Sequence, residues 1–139
     1  MKQIEMTELD RLRHSSAHIM AAAVCRIYTD VQLDIGPPTE DGFYYDFEMN
    51  ERISTEDFSK IEHAMQEIIA EDHPFTCQEV SREQATEMLK GQTYKLERLA
   101  DIPEGDPITF FTCGEFTDLC RGPHVESTGK VKAFQLVNV

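Results

Sequence analysis

Leu9, Leu12, Ser16, Ile19, Ala23 and Ile27 recur at the spacing of one helix face, and Ala21-Ala22-Ala23 favours helix. This predicts one long helix over about Glu8–Tyr28. Val31-Gln32-Leu33-Asp34-Ile35 then alternates apolar and polar, Gly36-Pro37-Pro38 interrupts it, and Asp41-Gly42 precedes Phe43-Tyr44-Tyr45-Asp46-Phe47-Glu48-Met49. That pattern predicts two antiparallel strands whose connection, Gly36 to Gly42, is longer than a minimal hairpin and suits a pocket wall. Ser54-Thr55-Glu56-Asp57 reads as a helix start, and Phe58, Ile61, Met65, Ile68 and Ile69 form a stripe that Pro74 ends. Phe75–Val80 fits a strand.

Ser81-Arg82-Glu83-Gln84 fits a capping box for a short helix ending near Gly91, with another helical turn or two at Tyr94–Leu99. Two β-branched and aromatic runs, Ile108–Cys113 and Phe116–Cys120, flank Gly114-Glu115 as a second hairpin, and Lys132–Val139 reads as a last strand. Helices and strands without regular βαβ alternation predict an α+β domain. Its sheet is largely antiparallel, with helices packed on one face and a long N-terminal helix carrying His-x-x-x-His.

With 139 residues the chain reads as a single domain over 1–139, able to bury a core without staples. No apolar run approaches the roughly 18 residues of a membrane helix, and Met1–Glu5 has no signal-peptide core, so a cytoplasmic setting without membrane contact is expected. Cys25, Cys77, Cys113 and Cys120 follow no repeating spacing, which favours free thiols over a disulfide framework. The net charge of −13 changes the picture most, because a domain this acidic repels a phosphate backbone. If the substrate is a nucleic acid, other domains are expected to supply most of the grip.

The chemistry concentrates in two places. His14 and His18 lie four apart in the first helix and leave the same face. In Asp118-Leu119-Cys120-Arg121-Gly122-Pro123-His124, Gly122 and Pro123 turn a thiol back toward an imidazole. His14, His18, Cys120 and His124 together make a donor set that zinc accepts, and this convergence is the central expectation. The alternatives are ordinary: a polar helix edge for the two histidines, a small buried hydrophobe for Cys120 and solvent exposure for Asp118. Cys120 could also be a nucleophile lowered by His124. From the residues alone Lys95 reads as part of a solvated helix face, and Tyr45 as core or interface.

At His14-Ser15-Ser16-Ala17-His18 and Asp118-Leu119-Cys120-Arg121-Gly122-Pro123-His124 the chain resembles the editing domain of the threonyl-tRNA synthetases, which is related to alanyl-tRNA editing proteins. Ile35–Pro38, Gly42–Phe47 and Tyr94-Lys95 support the likeness, which runs from about Leu9 to Leu136. The turn has the threonyl form, Cys-Arg-Gly-Pro-His. The resemblance implies a ligase fragment that proofreads: hydrolysis of the ester joining serine to tRNA(Thr), a second sieve needed because one missing methyl is worth only about 1–3 kcal/mol.

It further implies that His14, Lys95, Asp118 and Cys120 are catalytic. Within this set His14 would handle the water proton or the ribose hydroxyl, and Lys95, Asp118 and Cys120, with His18 and His124, would position water and substrate. His18, Gly36, Tyr45 and His124 would contact substrate, with Gly36 and Tyr45 forming the serine pocket. No cofactor is expected to be required, although zinc on His14, His18, Cys120 and His124 stays open. Expected partners are the acceptor end of tRNA(Thr) carrying a seryl ester and other domains of the same synthetase; the full-length protein would be a homodimer that also binds ATP. An excised fragment with weak activity on its own is the simplest account of the length. The competing readings are a zinc-stabilised module that binds the tRNA acceptor end without catalysis, and a Cys120 thiol enzyme.

Overall fold

The computed structural model describes residues 6–139; Met1–Glu5, on which the signal-peptide expectation rests in part, lie outside the described residues. Helix α1 runs Glu8–Ile27. Thr7 caps it: its Oγ1 accepts the Asp10 N–H at 3.1 Å, and Asp10 Oδ2 accepts the Thr7 N–H at 3.2 Å. These bonds satisfy two donors that no helical partner could reach. The small residues of α1 are used as their size suggests, with Ser15–Ile19 and Ala21–Val24 buried.

Strands β1 (Gln32–Leu33) and β2 (Phe47–Glu48) pair antiparallel, with Leu33 opposite Phe47. Each is only two residues long, shorter than the expected Val31–Ile35 and Phe43–Met49 runs. Pairing continues for one more step through Asp34 N–H to Asp46 O (3.0 Å) and Asp46 N–H to Ile35 O (2.8 Å). Pro37 and Pro38, which have no N–H, then interrupt the ladder, which resumes only as a single antiparallel bridge between Pro38 and Phe43.

A 3-10 turn at Thr55–Asp57 leads into helix α2 (Phe58–Glu71), which buries Ile61, Ala64, Met65 and Ile68. It ends on Asp72 in the left-handed region, just before His73-Pro74. Strand β3 (Thr76–Val80) follows, then helix α3 (Arg82–Met88) with the expected Ser81/Gln84 capping box, and helix α4 (Thr93–Asp101). Strands β4 (Ile108–Cys113) and β5 (Phe116–Leu119) complete a three-stranded antiparallel sheet in the order β3-β4-β5. The expected strand at Lys132–Val139 is not formed. Its apolar side chains Phe134 and Leu136 pack on the core instead, and the Leu136 N–H bonds to Glu62 Oε2 at 3.1 Å, so its hydrogen bonding goes to a side chain rather than a ladder.

Among the described residues the buried apolar side chains fall into two clusters. Parts of α1, α2 and the β1 region form one, with Ile19, Ala23, Leu33, Met65 and Ile68 at its centre. The other joins α3 and α4 to the sheet through Ala85, Leu89, Leu99, Ile108, Phe110 and Leu119. Side chains alternate across a strand, so the face opposite Phe110 presents Phe111, with Asp118 directly across from it. Phe111 touches the His124 ring, which puts the candidate chemistry on this second face, at the seam between the clusters.

Candidate active site

The Cys120–His124 turn folds onto α1 as the sequence predicts. Gly122 is buried with φ of +68°, and a Cβ there would lie 2.6 Å from the Phe111 ring, so the position requires glycine on two counts. Cys120 Sγ then sits 3.3 Å from His14 Nε2 and 3.4 Å from His124 Nε2, and accepts the Gly122 N–H at 3.3 Å. The His14 and His124 rings stack with centroids 4.3 Å apart.

Hydrogen bonds fix the orientation of both rings. His14 Nδ1 lies 3.2 Å from the Pro123 carbonyl. A carbonyl only accepts, so Nδ1 carries the proton and Nε2 keeps its lone pair toward Cys120. Ser15 Oγ accepts the Val125 N–H at 3.0 Å and lies 3.0 Å from His124 Nδ1. Ser15 is fully buried, and sequence reading missed it; the only available signal was a small polar residue beside His14 inside an apolar helix.

His18 is placed differently. It is buried, its Nε2 has no hydrogen-bond partner among the described residues, and its ring lies edge-on to Phe75, Phe116 and His124. Of the four donors expected to converge, His14, Cys120 and His124 have ligand atoms within 4.8 Å of one another, and His18 is not part of that group. The reason lies in helix geometry: residues four apart share a face but not a point, and His18 sits one turn deeper in the aromatic packing.

Beside this group lies a second one. Lys95 and Asp118, each about 5% exposed, form an ion pair with Nζ–Oδ1 3.1 Å. Tyr45 donates its hydroxyl to Asp118 Oδ2 at 2.7 Å, and Lys95 Nζ donates to the Leu119 carbonyl at 3.2 Å. The solvated face expected for Lys95 is therefore overturned: its stem crosses the packed edge of α4 and its charge meets a partner inside. Gly36 backs onto the Tyr45 ring so closely that a Cβ would collide with Cδ2, which brings the two expected pocket residues together. Arg13 donates to the Thr39 carbonyl at 2.9 Å, tying the 36–42 connection to α1. A cavity of about 160 Å³ lined by Ala22, Cys25, Arg26, His73, Cys113 and Phe116 among others opens elsewhere and includes none of the expected site residues.

Burial dominates the electrostatics. It lowers the pKa of His14 against the opposing pull of the Pro123 carbonyl and Asp118, lowers His18 to about 4, and lowers His124 as well. Burial also pushes the Cys120 thiol up to about 12, although the Gly122 N–H and Lys95 act the other way. Near neutral pH the site thus holds neutral imidazoles and a protonated thiol. A neutral imidazole with an unprotonated Nε2, here 3.3 Å from the thiol, is a proton acceptor, whereas a protonated thiol is a poor nucleophile.

The family profile described as "Threonyl and Alanyl tRNA synthetase second additional domain" matches residues 108–139, which include β4, β5 and the Cys120–His124 turn. A threonine–tRNA ligase of Staphylococcus epidermidis is 50% identical over 130 residues, 94% of this chain and 20% of that protein. Those of Carboxydothermus hydrogenoformans and Burkholderia lata are 52% and 49% identical over 132 and 133 residues, covering 94% of this chain and 21% of each relative. The chain belongs with the threonyl-tRNA synthetases, and its residues 108–139 match the profile of their second additional domain. It spans about a fifth of the length of these relatives. In this synthetase segment no described helix is long and apolar enough to cross a membrane.

Proposed function

We propose that this second additional domain, acting as one unit over about residues 9–136, is a proofreading esterase. It removes serine wrongly joined to tRNA(Thr), with other parts of the synthetase holding most of the tRNA. The observation that carries this reading is the Nδ1–H of His14 bound to the Pro123 carbonyl, which leaves Nε2 as a base beside the buried Lys95–Asp118–Tyr45 group. A water bound next to His14 gives its proton to Nε2 while its oxygen attacks the ester carbonyl. The C–O bond to the terminal ribose breaks, and the ribose oxygen recovers a proton from the imidazolium. Such transfers accelerate hydrolysis about 10²–10⁴-fold, enough for an activated ester.

In this reading Lys95 and Asp118 hold the carbonyl and the water, Cys120, His18 and His124 position them, and Gly36 and Tyr45 shape a pocket that serine fits and threonine does not. The family relation and the acidic surface support the need for tRNA contacts elsewhere in the synthetase. The test is hydrolysis of seryl- and threonyl-tRNA(Thr) by this chain and by a synthetase carrying it, with His14→Ala and Lys95→Ala alongside. Serine-selective hydrolysis reduced at least about 100-fold by His14→Ala is the expected result. Hydrolysis that ignores the acyl group, or that survives His14→Ala intact, would overturn it.

The donor set favours a second reading. His14, Cys120 and His124 fit a borderline-soft divalent ion such as zinc, with both Nδ1 atoms already held by the Pro123 carbonyl and Ser15. A bound ion would act as a Lewis acid at this position. Metal analysis with a chelator melt separates the two readings: loss of fold on chelation favours a zinc-stabilised binding module, and unchanged melting with retained hydrolysis favours the metal-free esterase.

A further inference from the structure

The seam between the two apolar clusters is bridged by side chains that the hydrolytic chemistry does not use. Gln32 on β1 donates from Nε2 to the Gly91 carbonyl (2.9 Å) and accepts the Thr93 N–H on Oε1 (3.0 Å). Gln92, just before α4, donates from Nε2 to the Val31 carbonyl (3.0 Å) and accepts the Leu33 N–H on Oε1 (2.8 Å). Each glutamine therefore closes both ends of its amide on the segment flanking the other. Beside them Arg98 grips Asp34 with two bonds, Nε to Oδ1 at 2.8 Å and an Nη to Oδ2 at 3.0 Å.

These contacts join particular things. Val31 and Leu33 belong to the first cluster and Leu99 of α4 to the second, so the clamp fixes one apolar body against the other. Apolar contacts are non-directional and tolerate sliding. Four amide bonds with defined donors and acceptors have one register. The same seam is crossed by the site, with Tyr45 on the hairpin side and Lys95, two residues after Thr93, on the other, meeting at Asp118. Arg13 secures the far end of the hairpin connection to α1 through Thr39.

We infer that Gln32 and Gln92, with the Asp34–Arg98 fork, are positioning residues that set the Tyr45 wall against the Lys95–Asp118 pair and thereby the size of acyl group the site admits. The acyl-size clause rests on the hydrolytic reading above; the positioning clause does not. Rejecting one methyl is a small effect that a pocket loosened by about an ångström loses.

The test compares Gln32→Leu, Gln92→Leu and Gln92→Glu with the wild-type chain. Gln92→Glu keeps the acceptor for Leu33 N–H and loses the donor to Val31. Hydrogen exchange followed by NMR is expected to show Leu33 deprotected in Gln92→Leu and Thr93 deprotected in Gln32→Leu, with shifted Tyr45 ring resonances in both and a smaller shift in Gln92→Glu. The ratio of seryl- to threonyl-tRNA hydrolysis is expected to fall about tenfold, mainly because threonyl hydrolysis rises. Unmoved Tyr45 resonances in a variant whose amides have lost protection would overturn the inference, as would an equal loss of both activities with a lower melting temperature. A synthetase carrying the wild-type chain and lacking seryl hydrolysis would remove the hydrolytic reading and the acyl-size clause together, and the Tyr45 resonances would still decide the positioning.

Discussion

Ser15 Oγ stands 3.0 Å from His124 Nδ1 while accepting the Val125 N–H at 3.0 Å, so one buried hydroxyl fixes both a ring and the chain that carries it. Ser15→Ala leaves that amide buried without a partner and frees the ring. The expected cost is about 1–3 kcal/mol in urea unfolding. Hydrolysis is expected to fall by more than the lost folded fraction explains, because His124 loses its orientation toward Cys120.

Lys95 and Asp118 form an ion pair that neither can leave without stranding a charge. Lys95→Met is expected to destabilise by about 3–5 kcal/mol, and Lys95→Met/Asp118→Asn by clearly less than the sum of the single changes. A double-mutant cycle in urea checks this; additive single effects would show that the pair is not coupled.

The depressed His18 gives stability a pH dependence of known sign. In the unfolded chain it titrates near its ordinary value of 6.5, in the metal-free fold at about 4. Between those values the unfolded state binds more protons, so stability is complete above about pH 6.5 and falls as pH drops toward 4, by about 1.4 kcal/mol per pH unit. His14 and His124, also lowered by burial, add slope of the same sign. Urea midpoints measured against pH should show this rise, and His18→Phe should flatten it in part.

Thiol chemistry should separate by burial. Cys77 is exposed on β3, whereas burial pushes Cys25 up to about 11 and Cys113 and Cys120 up to about 12. Iodoacetamide near neutral pH is expected to label Cys77 first and Cys120 at least about tenfold more slowly, read by peptide mass. Cys120→Ala retaining most hydrolysis would exclude the thiol-enzyme reading, and a trapped acyl-Cys120 adduct would support it.

Local signals carried much of the fold. Spacing and capping residues gave α1 nearly to the residue and located α2 and α3, although a 3-10 turn at Thr55–Asp57 precedes α2 and α3 ends at Met88 rather than near Gly91, because helix periodicity and caps are written within a few positions of one another. They overstated β1, β2 and the Lys132–Val139 strand, because alternation records which side chains face the core and not whether another strand is beside them.

What the sequence determined by itself was the chemistry on hand: a helix mounting His14 and His18, and a glycine–proline turn bending Cys120 toward His124. What only the tertiary structure decided was which of these groups meet. It left His18 among aromatic rings, brought His14 to the thiol, and turned Lys95 inward to Asp118 and Tyr45. Those choices depend on contacts between segments up to about a hundred positions apart, set by packing two apolar bodies together, and no local pattern records them.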